Sequence, residues 1–96
     1  MKLKYDFEIM DMGEEYVAVP VGDAAEIIHG TITLNEVSAD IFRQLKEETT
    51  LEKMHKYLKS KYNESSDDEI GQTLVAFMNK LLNAGLIEDK NLQRNN

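Results

Sequence analysis

The first third of the chain shows the alternation of apolar and polar residues that is typical of β-strands. Apolar side chains stand at every second position over residues 3–9, which places them on one face of a strand. A β-branched run over residues 16–21 predicts a second strand that ends or bulges at Pro20, because proline cannot donate a ladder hydrogen bond. Residues 27–34 predict a third strand, in which Gly30 would let another backbone come close.

Amphipathic helices follow these strands, and local signals mark where three of them begin and where the last one ends. Asn35 is a favourable N-cap for the first helix. Thr49–Glu52 and Ser66–Glu69 match the capping-box pattern, in which the side chains at both ends of the motif satisfy free amides, and they mark the next two starts. Gly85 stands where a Schellman motif would end the third helix.

This order of elements predicts an α+β fold, in which a three-stranded antiparallel sheet is followed by a three-helix bundle of the winged helix-turn-helix kind. The chain has 96 residues, which is enough for one domain, and we place that domain at residues 1–88. The polar segment 89–96 is predicted to be a disordered tail.

The third helix has a wider apolar face than packing against two short helices requires. Beyond its core stripe, Val75 and Leu82 lie on an adjoining face, with Met78 between them. Two interpretations remain open at this point. Either the small sheet covers this second stripe, or Val75, Met78 and Leu82 line a partly open groove.

Composition narrows the range of functions. The 18 acidic and 11 basic residues give a net charge of −7, which repels phosphate backbones and anionic membrane surfaces. The absence of cysteine excludes disulfides, thiol nucleophiles and thiolate metal sites. No apolar run approaches the roughly 18 residues of a membrane span, and the start of the chain does not resemble a signal peptide. We therefore expect a soluble, cytoplasmic protein.

Residues that carry catalysis or bind cofactors are few. His29 and His55 stand in different predicted elements, and neither belongs to a paired carboxylate motif. The five glycines are scattered and do not form a phosphate-binding loop. The acidic runs lack the alternating oxygen ligands and the central glycine of a calcium loop. These observations favour a protein that is not an enzyme and that needs no metal or cofactor.

Three segments of the chain resemble the PqqD-like proteins, a family named for the biosynthesis of pyrroloquinoline quinone (PQQ). Thr33–Phe42 resembles the family signature L-N-x-x-[ST/G]-A-x-I-[WFL]. Thr49–Glu52 resembles the family segment T-[VL]-x-[ED], and Phe77–Ile87 resembles the closing pattern F-[LI]-x-x-L-x-x-x-G-L-[IL]. The resemblance extends over residues 5–88 and depends on the order and spacing of the three segments.

The resemblance implies a function. PqqD-like proteins are similar to domains that bind the leader segment of a ribosomally made precursor peptide and present it to a modifying enzyme, often a radical S-adenosylmethionine (radical SAM) enzyme. The leader adds a strand to the sheet edge and packs against the third helix, which is a form of β-augmentation. The peptide-binding residues that the resemblance implies here are Ile27, Ile28, His29, Gly30, Thr31, Ile32 and Thr33 of the third strand, with Val75, Met78 and Leu82 of the third helix.

Two other functions share the predicted scaffold. A winged-helix DNA-binding regulator would read DNA with the third helix, but that helix begins with Asp67, Asp68 and Glu69 and contains no arginine. Both features disfavour contacts with phosphates and guanine. The sequence does not separate a purely structural enzyme subunit from a leader-binding protein. An unpaired strand edge also permits a homodimer.

Overall fold

The computed structural model describes residues 1–88. In chain order they form β1 (Lys2–Leu3), β2 (Phe7–Asp11), β3 (Tyr16–Pro20), α1 (Ala24–Ile27), β4 (Ile32–Leu34), α2 (Glu36–Gln44), α3 (Leu51–Lys61), α4 (Asp67–Asn83) and β5 (Ile87–Glu88). Strands β2, β3 and β4 form an antiparallel sheet in that order, and β1 pairs with β5. The α+β class and the three-stranded antiparallel sheet are confirmed. The winged helix-turn-helix arrangement stays a prediction, and the predicted tail lies outside the described residues.

The third strand is shorter than the sequence pattern predicts. Ala24–Ile27 forms α1, where the amide of Ile28 donates to the carbonyl of Ala24 at 2.8 Å, and the strand begins only at Ile32. Two adjacent alanines favour a helical turn over a strand, and Ala24 is buried. Gly30 has a φ of 110°, which glycine adopts without strain. A Cβ at Gly30 would meet no atom within 4 Å, so no other part of the described chain comes close to this glycine, and its positive φ serves the turn before β4.

The predicted first strand consists of two strands that belong to different sheets. Leu3 lies in β1 and pairs with Ile87 of β5, whereas Phe7 begins β2 and pairs with Pro20. Leu3 and Phe7 are both buried. Alternation of apolar residues therefore identified the buried side chains correctly, but it does not show where one strand stops and the next begins.

Local capping signals identified two of the three helix starts. The side chain of Asn35 accepts a hydrogen bond from the amide of Ser38 at 2.8 Å and caps α2. Ser66 and Glu69 form the predicted capping box of α4, with hydrogen bonds of 3.0 and 3.1 Å. Both starts depend on residues within one turn of each other, which is why sequence alone predicts them.

The capping box predicted at Thr49 is wrong. Thr50 is the N-cap of α3, and its side chain accepts from the amide of Lys53 at 3.1 Å. Thr49 is buried, and its amide donates to the carbonyl of Met1 at 3.0 Å. Thr49, which the local pattern favoured as the N-cap, is instead hydrogen-bonded to Met1, a residue far away in sequence.

The end of α4 is the predicted Schellman motif. Gly85 has a φ of 74°, and its amide donates to the carbonyl of Leu82 at 3.0 Å. The amide of Leu86 donates to the carbonyl of Leu81 at 3.0 Å, which completes the pair of hydrogen bonds that defines this motif. The turn sends the chain directly into β5.

The core lies between the sheet and the three longer helices. The ring of Phe42 in α2 is fully buried. It meets the ring of Phe7 edge-on at 5.1 Å and that of Phe77 at 6.5 Å between ring centroids. This aromatic cluster joins β2, α2 and α4. The other large side chains with almost no exposure are Leu34, Ile41, Leu45, Met54 and Leu58.

Candidate functional site

Strand β4 forms one edge of the three-stranded sheet. Ile32 is half-buried, Thr33 is exposed and Leu34 is buried, so Thr33 faces away from the core. β4 contains no charged residue, whereas the opposite edge strand β2 carries Glu8 and Asp11. Charged side chains on an edge discourage the addition of another strand, so β4 is the less protected edge.

The hydrogen bonds at both ends of the β2–β3 hairpin show which way the backbone of β3 points. The amide of Met12 donates to the carbonyl of Glu15 at 2.8 Å, and the amide of Val21 donates to the carbonyl of Asp6 at 3.0 Å. Facing pairs in an antiparallel ladder alternate between hydrogen-bonded and non-bonded. The odd-numbered residues of β3 therefore bond to β2, and the even-numbered residues bond to β4.

The same alternation fixes the orientation of β4. Ile32 faces Ala18 and Leu34 faces Tyr16, so the amides and carbonyls of Ile32 and Leu34 point towards β3. The amide and carbonyl of Thr33, which lies between them, point towards the free edge of the sheet. Thr33 thus offers one donor and one acceptor to a strand that would lie beside β4.

Phe77 of α4 faces α2, the helix that follows β4. Phe77 is half-buried, and its ring packs on Phe42 of α2. Thr73 lies one turn before Phe77, on the same side of α4. With Val37 in the first turn of α2, Thr73 borders a small cavity of about 110 Å³. The lining of that cavity is Val37, Leu58, Tyr62, Ser65, Glu69, Ile70 and Thr73.

We use the name β4 surface for the residues at the free strand edge together with residues of α2 and α4 near the mouth of this cavity. It contains Ile32, Thr33, Val37, Thr73 and Phe77. Sequence reasoning missed three of these residues as surface positions, because Val37 and Phe77 lie in apolar stripes that read as core and Thr73 lies beside one. Val37 and Phe77 are half-buried and Thr73 is exposed, which depends on how the helices pack and leaves no signal in the spacing along the chain.

The structure places Val75 and Leu82 on a different side of α4. Val75 and Phe77 are separated by about 200° around the helix axis, since each residue advances the helix by about 100°. Val75 and Leu82 border a cavity of about 210 Å³ together with Met1, Leu51 and Ile87. None of the residues around that cavity belongs to β4. The predicted site residues therefore fall on two separate surfaces.

The other predicted site residues lie before or beside the β4 edge. Ile27 ends α1 and is 60% exposed, and Ile28 is half-buried. His29, Gly30 and Thr31 are exposed in the loop that precedes β4. Met78 is 4% exposed and contributes little more than the floor of the cavity beside Val75. Their role in binding a peptide stays a prediction.

A buried carboxylate holds the helices that support the β4 surface. Asp40 of α2 is 3% exposed, and its oxygens accept hydrogen bonds from Lys61 Nζ at 2.9 and 3.1 Å and from the hydroxyl of Tyr62. Arg43 adds a contact at 3.3 Å. Burial and then the hydrogen bond to Asp40 raise the pKa of Tyr62 above its ordinary value. The cluster joins α2 to the end of α3, and Tyr62 also lines the small cavity.

Neither a cluster of metal ligands nor a membrane-spanning helix is found in the described part of the chain. Among residues 1–88, no three side chains of His, Cys, Asp or Glu come together as metal ligands. In the same range, no helix combines the length and the apolar character needed to cross a membrane.

A comparison with protein families agrees with the resemblance found in the sequence. Residues 15–87 match the family model of coenzyme PQQ synthesis protein D (PqqD). The match covers most of the 96 residues, so the chain belongs to the PqqD family. No curated protein and no solved structure matches the chain. The predicted family assignment is confirmed.

Proposed function

We propose that this chain is a non-catalytic protein that binds the leader segment of a ribosomally made precursor peptide and presents it to a modifying enzyme of the radical SAM type. Membership of the PqqD family supports an accessory role beside biosynthetic enzymes. The leader lies as an additional strand on the β4 surface. In this role the chain supplies affinity and orientation, and the partner enzyme supplies the chemistry.

The observation that carries the proposal is the free backbone of Thr33. An extended peptide beside β4 donates to the carbonyl of Thr33 and accepts from its amide. Each such hydrogen bond contributes about 0.5–1.5 kcal/mol net. Because backbone groups are common to all peptides, these bonds supply affinity without selecting a sequence.

Selection among peptides comes from the side chains on the β4 surface. Side chains of the added strand alternate, so every second one faces the same way as Ile32. The proposal brings these side chains against the half-buried ring of Phe77 and the cavity bordered by Val37 and Thr73. A volume of about 110 Å³ suits one apolar side chain of the leader.

The test uses isothermal titration of the full chain with synthetic peptides that cover the leaders of precursors encoded beside its gene. We expect one such leader to bind. Thr33→Pro removes the outward amide and places a ring where the added strand would lie, so we expect the affinity for that leader to fall about tenfold or more. Thr33→Val is the matched control, since it keeps the amide and the β-branched shape and should bind normally.

Circular dichroism and thermal unfolding of both variants establish that they remain folded. Equal leader binding by Thr33→Pro and the parent chain would show that the added strand does not use β4. Binding by none of the encoded leaders would refute leader recognition itself. The proposal also expects that the chain alone leaves the mass of the bound peptide unchanged.

A further inference from the structure

The surface that contains Val75 and Leu82 is separate from the β4 surface and exposes large apolar side chains. Val75 is 50% exposed, Leu82 is 37% exposed, and Leu51 across the adjoining cavity is 40% exposed. Buried Ile87 lies at the same cavity. Exposed apolar side chains that gather around one concavity mark interaction surfaces.

The spacing of the residues along this side of α4 is that of a helix-packing seam. Gly71, Val75, Met78 and Leu82 follow one another at intervals of four, three and four residues, which is the spacing of a coiled-coil seam. We call these four residues the α4 seam. It spans about 16 Å at 1.5 Å per residue, which is three turns. Gly71 has no atom within 4 Å of an added Cβ, so the seam is open at that end.

The border of the α4 seam is acidic at the end that contains Gly71 and Val75. Asp67 and Asp68 lie with Val75 around a depression that adjoins the cavity at Leu82. Glu52, which follows Leu51 on α3, lines a separate depression in which Lys56 and Lys59 balance its charge. Lys2 stands opposite Glu88 in the β1–β5 pair, next to the position of Ile87.

We propose that the α4 seam is a docking site for an amphipathic helix of another protein, whose apolar residues recur at intervals of three and four and are flanked by Lys or Arg. The 4-3-4 spacing matches a helix better than an extended strand. The acidic border complements basic flanks and opposes a second copy of this acidic chain. Because the seam lies on the other side of α4 from Phe77, both surfaces can be occupied together. This inference goes beyond leader binding and does not depend on it.

The test uses a synthetic helical peptide of about 18 residues, long enough to form a helix alone. It carries leucines at alternating intervals of three and four, with lysines beside them. Isothermal titration measures its affinity for the full chain, and ¹⁵N chemical shifts locate it. We expect the shifts to concentrate at Leu51, Val75 and Leu82. A peptide with glutamates in place of the lysines should bind with an affinity at least about tenfold lower.

Substitutions in the chain distinguish an apolar seam from a merely acidic surface. Leu82→Ser and Val75→Ser each remove an apolar contact, so we expect each to weaken binding of the lysine peptide about tenfold. Asn83→Ser is the control, because Asn83 is exposed on the same helix and lies about 100° from Leu82, away from the seam. Unchanged thermal midpoints show that the variants are folded.

Several outcomes would overturn the inference. Shifts spread over all acidic regions, or equal affinity of Leu82→Ser, would show attraction by charge alone. Shifts at Thr33 and Phe77 would assign the peptide to the β4 surface. Sedimentation of the free chain as a dimer that Leu82→Ser dissociates would identify the seam as a contact between copies. Failure of the leader titration, by contrast, would leave the result for this seam unchanged.

Discussion

Asp40 is a charged residue that the fold places almost entirely out of water. Its neighbours explain how the carboxylate is accommodated, since Lys61, Arg43 and Tyr62 all donate hydrogen bonds to it. A buried charge costs little only when it is paired and hydrogen-bonded. Because Asp40 lies on α2 and Lys61 ends α3, this cluster also joins two helices.

The hydroxyl of Tyr62 gives a direct test of the Asp40 cluster. Tyr62→Phe removes one hydrogen bond and leaves Asp40 paired with Lys61, so we expect the free energy of unfolding to fall by about 1 kcal/mol at neutral pH. Tyr57→Phe is the control, since Tyr57 is 39% exposed on α3, the helix that Tyr62 follows, and it should change stability by less than about 0.5 kcal/mol. Urea denaturation measures both.

The pH dependence of this difference has a definite sign. The folded pKa of Tyr62 is raised above its ordinary value of 10.0, so the unfolded chain loses that proton first as the pH rises. The stabilisation is therefore fully present below about pH 9 and declines above pH 10. We expect the gap between the parent chain and Tyr62→Phe to shrink over that range. A gap that widened there would contradict the hydrogen bond to Asp40.

At the level of whole elements, the helix boundaries that local chemistry controls were predictable. Asn35, Ser66 and Gly85 each act within one turn of the chain, and each lies where the sequence placed it. The start of α3 was not predictable, because Thr49 is used by a contact with Met1, far away in sequence. The helical turn Ala24–Ile27 was missed for another reason. The apolar and β-branched residues from Ile27 onward suited a strand, so Ile27 was assigned to that strand and not to a helix.

The candidate site was predictable only in part, for the same physical reason. The family motifs directed attention to the third strand and the last helix, and both lie at exposed surfaces. Which side of α4 faces α2 depends on the packing of Phe77 against Phe42. That contact is between helices, and the spacing of residues within α4 does not contain it. The strand edge itself required the ladder hydrogen bonds, which sequence does not contain.

Two glycines, one inside α4 and one in the turn that ends it, give matched predictions of opposite sign. Gly85 has a positive φ, so Gly85→Ala should destabilise the chain by about 1 kcal/mol. Gly71 lies inside the helix, and an added Cβ there meets no atom within 4 Å. Gly71→Ala should stabilise the chain by about 0.5–1 kcal/mol. Thermal unfolding of the two variants checks both signs, and destabilisation by both would contradict the open seam at Gly71.

At the level of the whole molecule, charge argues against recognition of DNA. The net charge is −7, and the first turn of α4 exposes Asp67, Asp68 and Glu69. Lys80 is the single basic residue of that helix. We expect no sequence-dependent binding to duplex DNA in fluorescence anisotropy at about 0.15 M salt. Sub-micromolar binding that survives competitor DNA would reinstate the regulator hypothesis.

The pairing of β1 with β5 has a consequence for protein engineering. Lys2 stands directly opposite Glu88, so these two positions are about 5 Å apart at their Cα atoms. Because the strands are antiparallel, a short turn such as Asn-Gly is able to join residue 88 to residue 2 as a hairpin. New termini opened between Gly13 and Glu14 would then give a circular permutant that keeps the β1–β5 pair. The same geometry suits insertion of residues 2–88 into a surface loop of a host protein, where both junctions need to lie side by side.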